Sequence, residues 1–274
     1  MKDIQNLPDQ REIDIQRVGI KNLHLPMFIR VKSGGYQSVL SNLSLSVDLP
    51  RRFKGTHLSR FVEILEKWSR KKISSREIRR ILEETRTKLK ARQAQLTLRF
   101  KYFIEKKAPV SRRESVLDYG CEFTGILTED DYTFILGVQV PVTALCPCSK
   151  AISKYGAHNQ RGIVRIRVHY EEEIIWIEDL VRSIEEQASC QIYPLLKRSD
   201  EKYVTERAYE NPKFVEDIMR DVILALRAQS VITWFEVECE DFESIHNHSA
   251  FAYQQEGDPG RFSGNLLGTE IHPS

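Results

Sequence analysis

A chain of 274 residues, 41% of them hydrophobic, is too apolar to remain disordered and long enough for one large core or two modest ones. Its 41 basic and 39 acidic residues leave a net charge of +2, which excludes a surface dominated by charge for nucleic acid or membrane lipid. Five cysteines, an odd number in a chain of this size, do not make a disulfide framework and are expected as reduced thiols.

The start has no apolar leader, and no later run approaches the roughly 20 apolar residues of a membrane span, so a cytoplasmic protein is expected. Residues 1–13 read as an N-terminal extension. Beyond them Leu43, Leu45, Val47 and Leu49 alternate with Ser44, Ser46 and Asp48, the period of a half-buried strand. Phe61, Ile64, Leu65 and Trp68 then recur at helical spacing. Ser74 and Glu77 have capping-box spacing ahead of Ile78, Ile81, Leu82, Thr85 and Leu89, which predicts a helix over 75–92. The basic run at 67–80 falls on the outer faces of these helices, so a solvated face is expected there in preference to an RNA site. Leu96, Leu98, Phe100 and Tyr102 alternate again with Thr97, Arg99 and Lys101.

The second half repeats this order of elements without repeating its residues. An apolar strand is expected over 131–145, followed by one in which Ile166, Val168 and Tyr170 alternate with Arg165, Arg167 and His169. Ile177, Leu180, Val181 and Ile184 mark a helix, and Asn211 and Pro212 read as the N-cap and first position of another. Phe235, Val237 and Cys239 alternate with Glu236, Glu238 and Glu240 in a strand, and an acidic turn and short helix are expected after it. The fold class is therefore α+β, with modules at 14–125 and 126–256. A polar tail at 257–274 is expected to wrap the surface or a neighbouring subunit.

Chemistry concentrates in three stretches. In "LCPCSKAISKYGAHNQRG" (145–162) Cys146 and Cys148 flank Pro147 where a strand leaves the sheet, and an extended backbone would put both thiols on one side. His158 follows in a glycine-containing loop. A thiolate and an imidazole suit a divalent transition metal, although two packed cysteines and a chance histidine are the plainer reading. A third ligand is sought in the polar segment 193–212, among Asp200, Glu201, Glu206 and Glu210. Lys197, Arg198, Lys202 and Arg207 could meet an anionic substrate such as a phosphate there, and a solvated loop is the plainer reading. In "CEDFESIHNHSAFA" (239–252) Glu243 and His246 are three apart, which a helical turn would put on one side with His248 facing elsewhere.

Together "PVTALCPCSKAISKYGAHNQRG", "YPLLKRSDEKYVTERAYENPKFVEDIMRD" and "FESIHNHSAFA" resemble the type IB GTP cyclohydrolases, over nearly the whole chain. The resemblance implies the bimodular tunnelling fold, with antiparallel sheets each carrying a helix pair. It also implies a homotetramer with sites at subunit interfaces, with Cys146 and His158 on one chain and Glu243 on a neighbour or the reverse. The implied reaction converts GTP and water to 7,8-dihydroneopterin triphosphate and formate. Carried over, Cys146 and His158 match metal ligands, Glu201 a nearby acidic ligand, Glu243 the purine anchor and His246 a proton-transfer residue. Lys150, Arg161, Lys202 and Arg207 are expected to bind the substrate, and Zn²⁺, Mn²⁺ or Fe²⁺ suits the ligand set.

Two other enzymes are compatible with the same scaffold: a nitrile reductase with Cys146 or Cys148 as covalent nucleophile, and a GTP cyclohydrolase that forms a cyclic phosphate. His158 argues against the first. A non-catalytic assembly or RNA-binding protein using the basic helix would not need Cys146.

Overall fold

In the computed structural model, which describes residue 5, residues 10–171 and residues 174–257, the alternating segments join in one ten-stranded sheet. Strands β1 (Ile15–Arg30) and β2 (Tyr36–Leu49) form a hairpin that reverses at Gly34 and Gly35, with φ of 92° and 88°. Side chains rarely tolerate that left-handed region. Helix α1 (Leu58–Ser69), the two-residue β3 (Lys72–Ile73) and helix α2 (Ser75–Leu89) follow, then β4 (Ala94–Lys107) and β5 (Glu114–Leu127). The capping box closes as read, with Ser74 N donating to Glu77 Oε2 at 3.0 Å.

The second half runs β6 (Tyr132–Leu145), α3 (Pro147–Ile152), β7 (Asn159–Tyr170), α4 (Ile177–Glu185) and β8 (Cys190–Gln191). It continues with α5 (Arg198–Glu210), α6 (Val215–Arg227), β9 (Ile232–Phe242) and β10 (Ser249–Gly257). Three expectations are corrected. The polar stretch read as a loop contains helix α5. Helix α6 starts at Val215, because the Asn211 amide donates to Ala188 O and Ser189 O, at 3.0 and 3.2 Å, and does not cap. The short helix expected after β9 is a bend leading into β10, since Phe242 pairs with Ser249 and the chain must reverse between them. Of the predicted tail, residues 258–274 lie outside the described residues.

Strand order is β10-β9-β7-β6-β5-β4-β2-β1-β3, with β8 beside β6, and among the described residues only the β1–β3 pairing is parallel. Register explains why the sheet has two unlike faces. Leu98, Phe123, Leu136, Val168 and Phe235 are successive cross-strand partners, all buried on the face covered by α1, α2, α4 and α6. One residue along, Arg99, Glu122, Gly137, Arg167 and Glu236 form the matching row on the other face. There Arg99 meets Glu122 at 2.7 Å and Arg167 meets Glu236 at 3.5 Å. The apolar cluster continues across the β5–β6 seam, so the two halves share one core. Among the described residues no helix is long and apolar enough to cross a membrane.

Polar contacts from the first half set the helices of the second. Lys106 Nζ donates to Glu185 Oε1 at 2.7 Å and to Ile192 O at 2.8 Å, and Tyr119 Oη donates to the same Glu185 oxygen at 2.7 Å. At the start of α5 the buried Asp200 carboxylate accepts Val110 N, Ser111 N and Ser111 Oγ, at 2.8, 2.8 and 2.6 Å, and Lys197 N at 2.9 Å. Burial alone would raise its pKa, but these hydrogen bonds outweigh it and hold the group well below the usual carboxylate range. A depressed folded pKa gives stability that is present above the unfolded value, near 4, and lost as pH falls below it. Asp200→Asn should therefore lower the melting temperature at pH 7, with a difference from wild type that shrinks as the pH is taken below about 4. An equal difference at every pH would show that the charged form is not what holds the β4–β5 turn to α5.

Candidate active site

Cys146 stands where β6 ends. Pro147, with its fixed φ and no N–H to lose, suits the first helical position, so α3 begins there with Cys146 as N-cap and its Sγ accepting Ser149 N at 3.4 Å. This start breaks the extended geometry expected for the pair of cysteines: Cys146 is half-buried while Cys148, inside the helix, is exposed. The chain turns back through Gly156, at φ 91°, and rejoins the sheet where Asn159 pairs with Leu145. Cys146 N donates to His158 O at 3.2 Å and His158 N to Ser149 Oγ at 3.1 Å. Thiol and imidazole thus come from adjacent strand ends.

The neighbouring strand brings in Glu243. On β7 and β9 the inward positions run Val164, Gly162, Gln160 and Cys239, Asp241, and the next inward position after β9 is Glu243. His158 Nδ1 lies 2.8 Å from Gln160 Oε1, and Gln160 Nε2 donates to Glu243 Oε1 at 3.2 Å. Sequence reading had divided His158 and Glu243 between subunits; here they are linked within one chain, because β7 and β9 are paired. Asp241 lies beside this link, opposite Gly162, where a Cβ would collide with the Asp241 carboxylate. Burial first, then the charge of Glu243, raise Asp241 to about 6 against a lowering hydrogen bond from Gln160.

Sequence reasoning missed Gln160 and Asp241. The signal existed, since the period that turns Val237 and Cys239 inward turns Asp241 inward too, and an acid on a buried face calls for a reason. Because the folded pKa is raised, the protonated carboxyl contributes stability at low pH that is lost as pH rises through about 6. Asp241→Asn should stabilise the metal-free protein at pH 8 by ~1–2 kcal/mol after allowance for screening, and by little at pH 4. Urea denaturation at the two pH values measures this, and a loss of stability at pH 8 would contradict it.

The remaining candidates divide. Val204 and Ala208 on α5 pack against Leu145 and Ala157, the residues just before Cys146 and His158. Glu201 lies one turn earlier on that helical face and is exposed. Among the described residues, no three His, Cys, Asp or Glu groups are gathered to hold a metal. Lys150 Nζ donates to Tyr209 O at 2.5 Å and lies 4.3 Å from the Tyr209 ring centre. Lys202 pairs with Glu206 at 3.8 Å on the exposed side of α5, and Arg207 is exposed on the same helix. Arg161 is separated from these groups by the sheet. It follows Gln160 on β7, so it projects from the opposite face, into a cleft of about 770 Å³ shared with His24, Asn42, Arg99 and Gln139. His246 does not share a helical turn with Glu243; it lies in the bend and stacks on His248, with ring centres 5.0 Å apart.

A family model described as type I GTP cyclohydrolase FolE2 matches residues 1–252. The GTP cyclohydrolase FolE2 of Geobacter sulfurreducens is 53% identical over 252 residues, covering 92% of this chain and 96% of that protein. That of Syntrophus aciditrophicus is 51% identical over 253 residues, covering 92% and 98%. Among solved structures, a uricase from Arthrobacter globiformis superposes with a TM-score of 0.55 at 6% identity, over 92% of this chain and 96% of its own. A uricase from Bacillus fastidious gives 0.54 at 6% identity, over 89% and 94%. These two likenesses concern the fold alone.

Proposed function

The chain belongs to the FolE2 family of type I GTP cyclohydrolases, and on that premise we propose that it converts GTP and water to 7,8-dihydroneopterin triphosphate and formate, the entry to tetrahydrofolate synthesis. The finer assignment is the type IB enzyme on a bimodular tunnelling fold, acting in the cytoplasm as a homotetramer. The observation that carries the reading is the linked set Cys146, His158, Gln160 and Glu243, gathered at the ends of β6, β7 and β9.

Each group has a task that the reaction requires. Cys146 and His158 fit as metal donors by their chemistry, a thiol and an imidazole on two residues that the hydrogen bond from Cys146 N to His158 O sets side by side in the backbone. Glu201, on the helix packed against their neighbours, is the third donor in this reading. A divalent ion, Zn²⁺, Mn²⁺ or Fe²⁺, supplies the Lewis acidity that makes water a nucleophile at neutral pH. The Glu243 carboxylate can accept the two N–H groups on the guanine edge, which orients the base and disfavours adenine. Attack at C8, opening of the imidazole ring and departure of C8 as formate each move protons. Histidine is suited to that transfer, and His246 is assigned to it. Lys150, Lys202 and Arg207, on α3 and α5, are assigned to the triphosphate; Arg161, on the other face, would serve a different contact.

The test is incubation of metal-reconstituted protein with GTP, measuring formate and the fluorescent pterin that appears on oxidation. Formate and pterin in equal amounts are expected, and neither appearing with any of the three metals would refute the reading. Light scattering should return the mass of four chains.

A further inference from the structure

We propose that Gln160 is a positioning residue that sets the tautomer of His158 and the direction of the Glu243 carboxylate with a single amide. The inference rests on the reading of His158 as a metal ligand and Glu243 as the guanine anchor. It goes beyond that reading in making the two sites interdependent.

The hydrogen-bond inventory leaves little choice. A carboxylate can only accept, so the end of the Gln160 side chain that faces Glu243 Oε1, at 3.2 Å, is the NH₂ group. The opposite end, Oε1, is then the atom 2.8 Å from His158 Nδ1. Two acceptors do not approach so closely, so Nδ1 carries the hydrogen and Nε2 keeps its lone pair. Ser244 Oγ, 3.4 Å from the same Nδ1, does not contest this, because a hydroxyl accepts as readily as it donates. The imidazole is thereby held with its unprotonated nitrogen presented away from Gln160, the state a metal ligand needs and one whose partner N–H is held by an acceptor.

Placement on the sheet makes the arrangement stiff. Gln160 pairs with Ala144 inside the β6–β7 ladder and its side chain is half-buried, so the amide is carried on regular structure. The choice of amide over acid also follows. A glutamate at 160 would still accept from His158 Nδ1, but it would lose the donor to Glu243 and add a third negative group beside Asp241 and Glu243. The two functions of the amide can therefore be separated by substitution.

Two variants and a control test this. In Gln160→Leu both functions are lost: Zn²⁺ affinity, measured by chelator competition without GTP, should fall by about 10–100-fold. The ¹⁵N shifts of the His158 ring in metal-free protein should move from the Nδ1–H pattern toward a mixture of tautomers. In Gln160→Glu the Nδ1–H pattern and Zn²⁺ affinity should stay close to wild type while the KM for GTP rises by roughly tenfold or more. A purely structural role would not separate the two readouts in this way. His158→Ala serves as the control. If it loses Zn²⁺ but Gln160→Leu keeps wild-type affinity and wild-type ring shifts, the role of Gln160 is overturned and the metal reading stands. If His158→Ala binds Zn²⁺ as tightly as wild type, the metal reading falls and takes the tautomer argument's purpose with it.

Discussion

Cys146→Ala is expected to abolish both tight metal binding and GTP turnover while the protein stays folded. Loss of an outer hydrogen-bond partner of a metal ligand already costs ~10–100-fold in affinity or activity, so removal of a ligand itself should exceed that range. The fold should survive because Cys146 is half-buried at the end of a strand, and its Sγ accepts only the weak contact from Ser149 N at 3.4 Å. The backbone bond from Cys146 N to His158 O, which closes the loop, does not depend on the side chain. Cys148→Ala should be much milder, since that thiol is exposed inside α3 and no longer shares a face with Cys146. Metal content after dialysis and formate release are the measurements. Stoichiometric metal with unchanged turnover in Cys146→Ala would defeat the assignment, and loss of metal only in Cys148→Ala would transfer it to the other cysteine.

What could be read from the residues depended on where the folding information lies. Strands β2, β4, β7 and β9 were legible because each buries one face and wets the other, and the rows through Leu98 and Arg99 show the alternation preserved across paired strands. Helix α5 was not legible. Its sequence is polar nearly all round, with Asp200 and Ala208 as its only buried residues, so little periodicity marks it. It is held instead by contacts remote in sequence: Asp200 to Val110 and Ser111, and Ala208 to Leu145 and Cys190. The N-cap assigned to Asn211 failed for a related reason, as its amide found backbone carbonyls at Ala188 and Ser189. Within the site, reactive residue types drew attention to Cys146, His158 and Glu243. Gln160 lacks reactive chemistry, and its part appears only when β7 and β9 are seen to pair.

Glu243→Gln separates recognition of the base from possession of the metal. The guanine edge offers two N–H donors, and a carboxylate can accept both, whereas the amide turns one acceptor into a donor facing another donor. Leaving such a buried group unsatisfied costs on the order of 1–3 kcal/mol, or up to about a hundredfold in binding, so the KM for GTP should rise by up to about that factor. Metal content should hold, because the variant still has an oxygen for Gln160 Nε2, now 3.2 Å from Glu243 Oε1, and His158 keeps its own contact with Gln160. Discrimination against ATP should weaken in the same variant, since where guanine presents its N1–H and 2-amino donors adenine presents an N1 acceptor and a C2–H, and the amide can donate to that N1 where a carboxylate would face it acceptor to acceptor. Steady-state kinetics with GTP, competition by ATP and metal analysis on one preparation provide the three readings. An unaltered KM with unaltered turnover would rule out the anchoring role, and loss of metal with no change in nucleotide preference would make Glu243 a ligand instead.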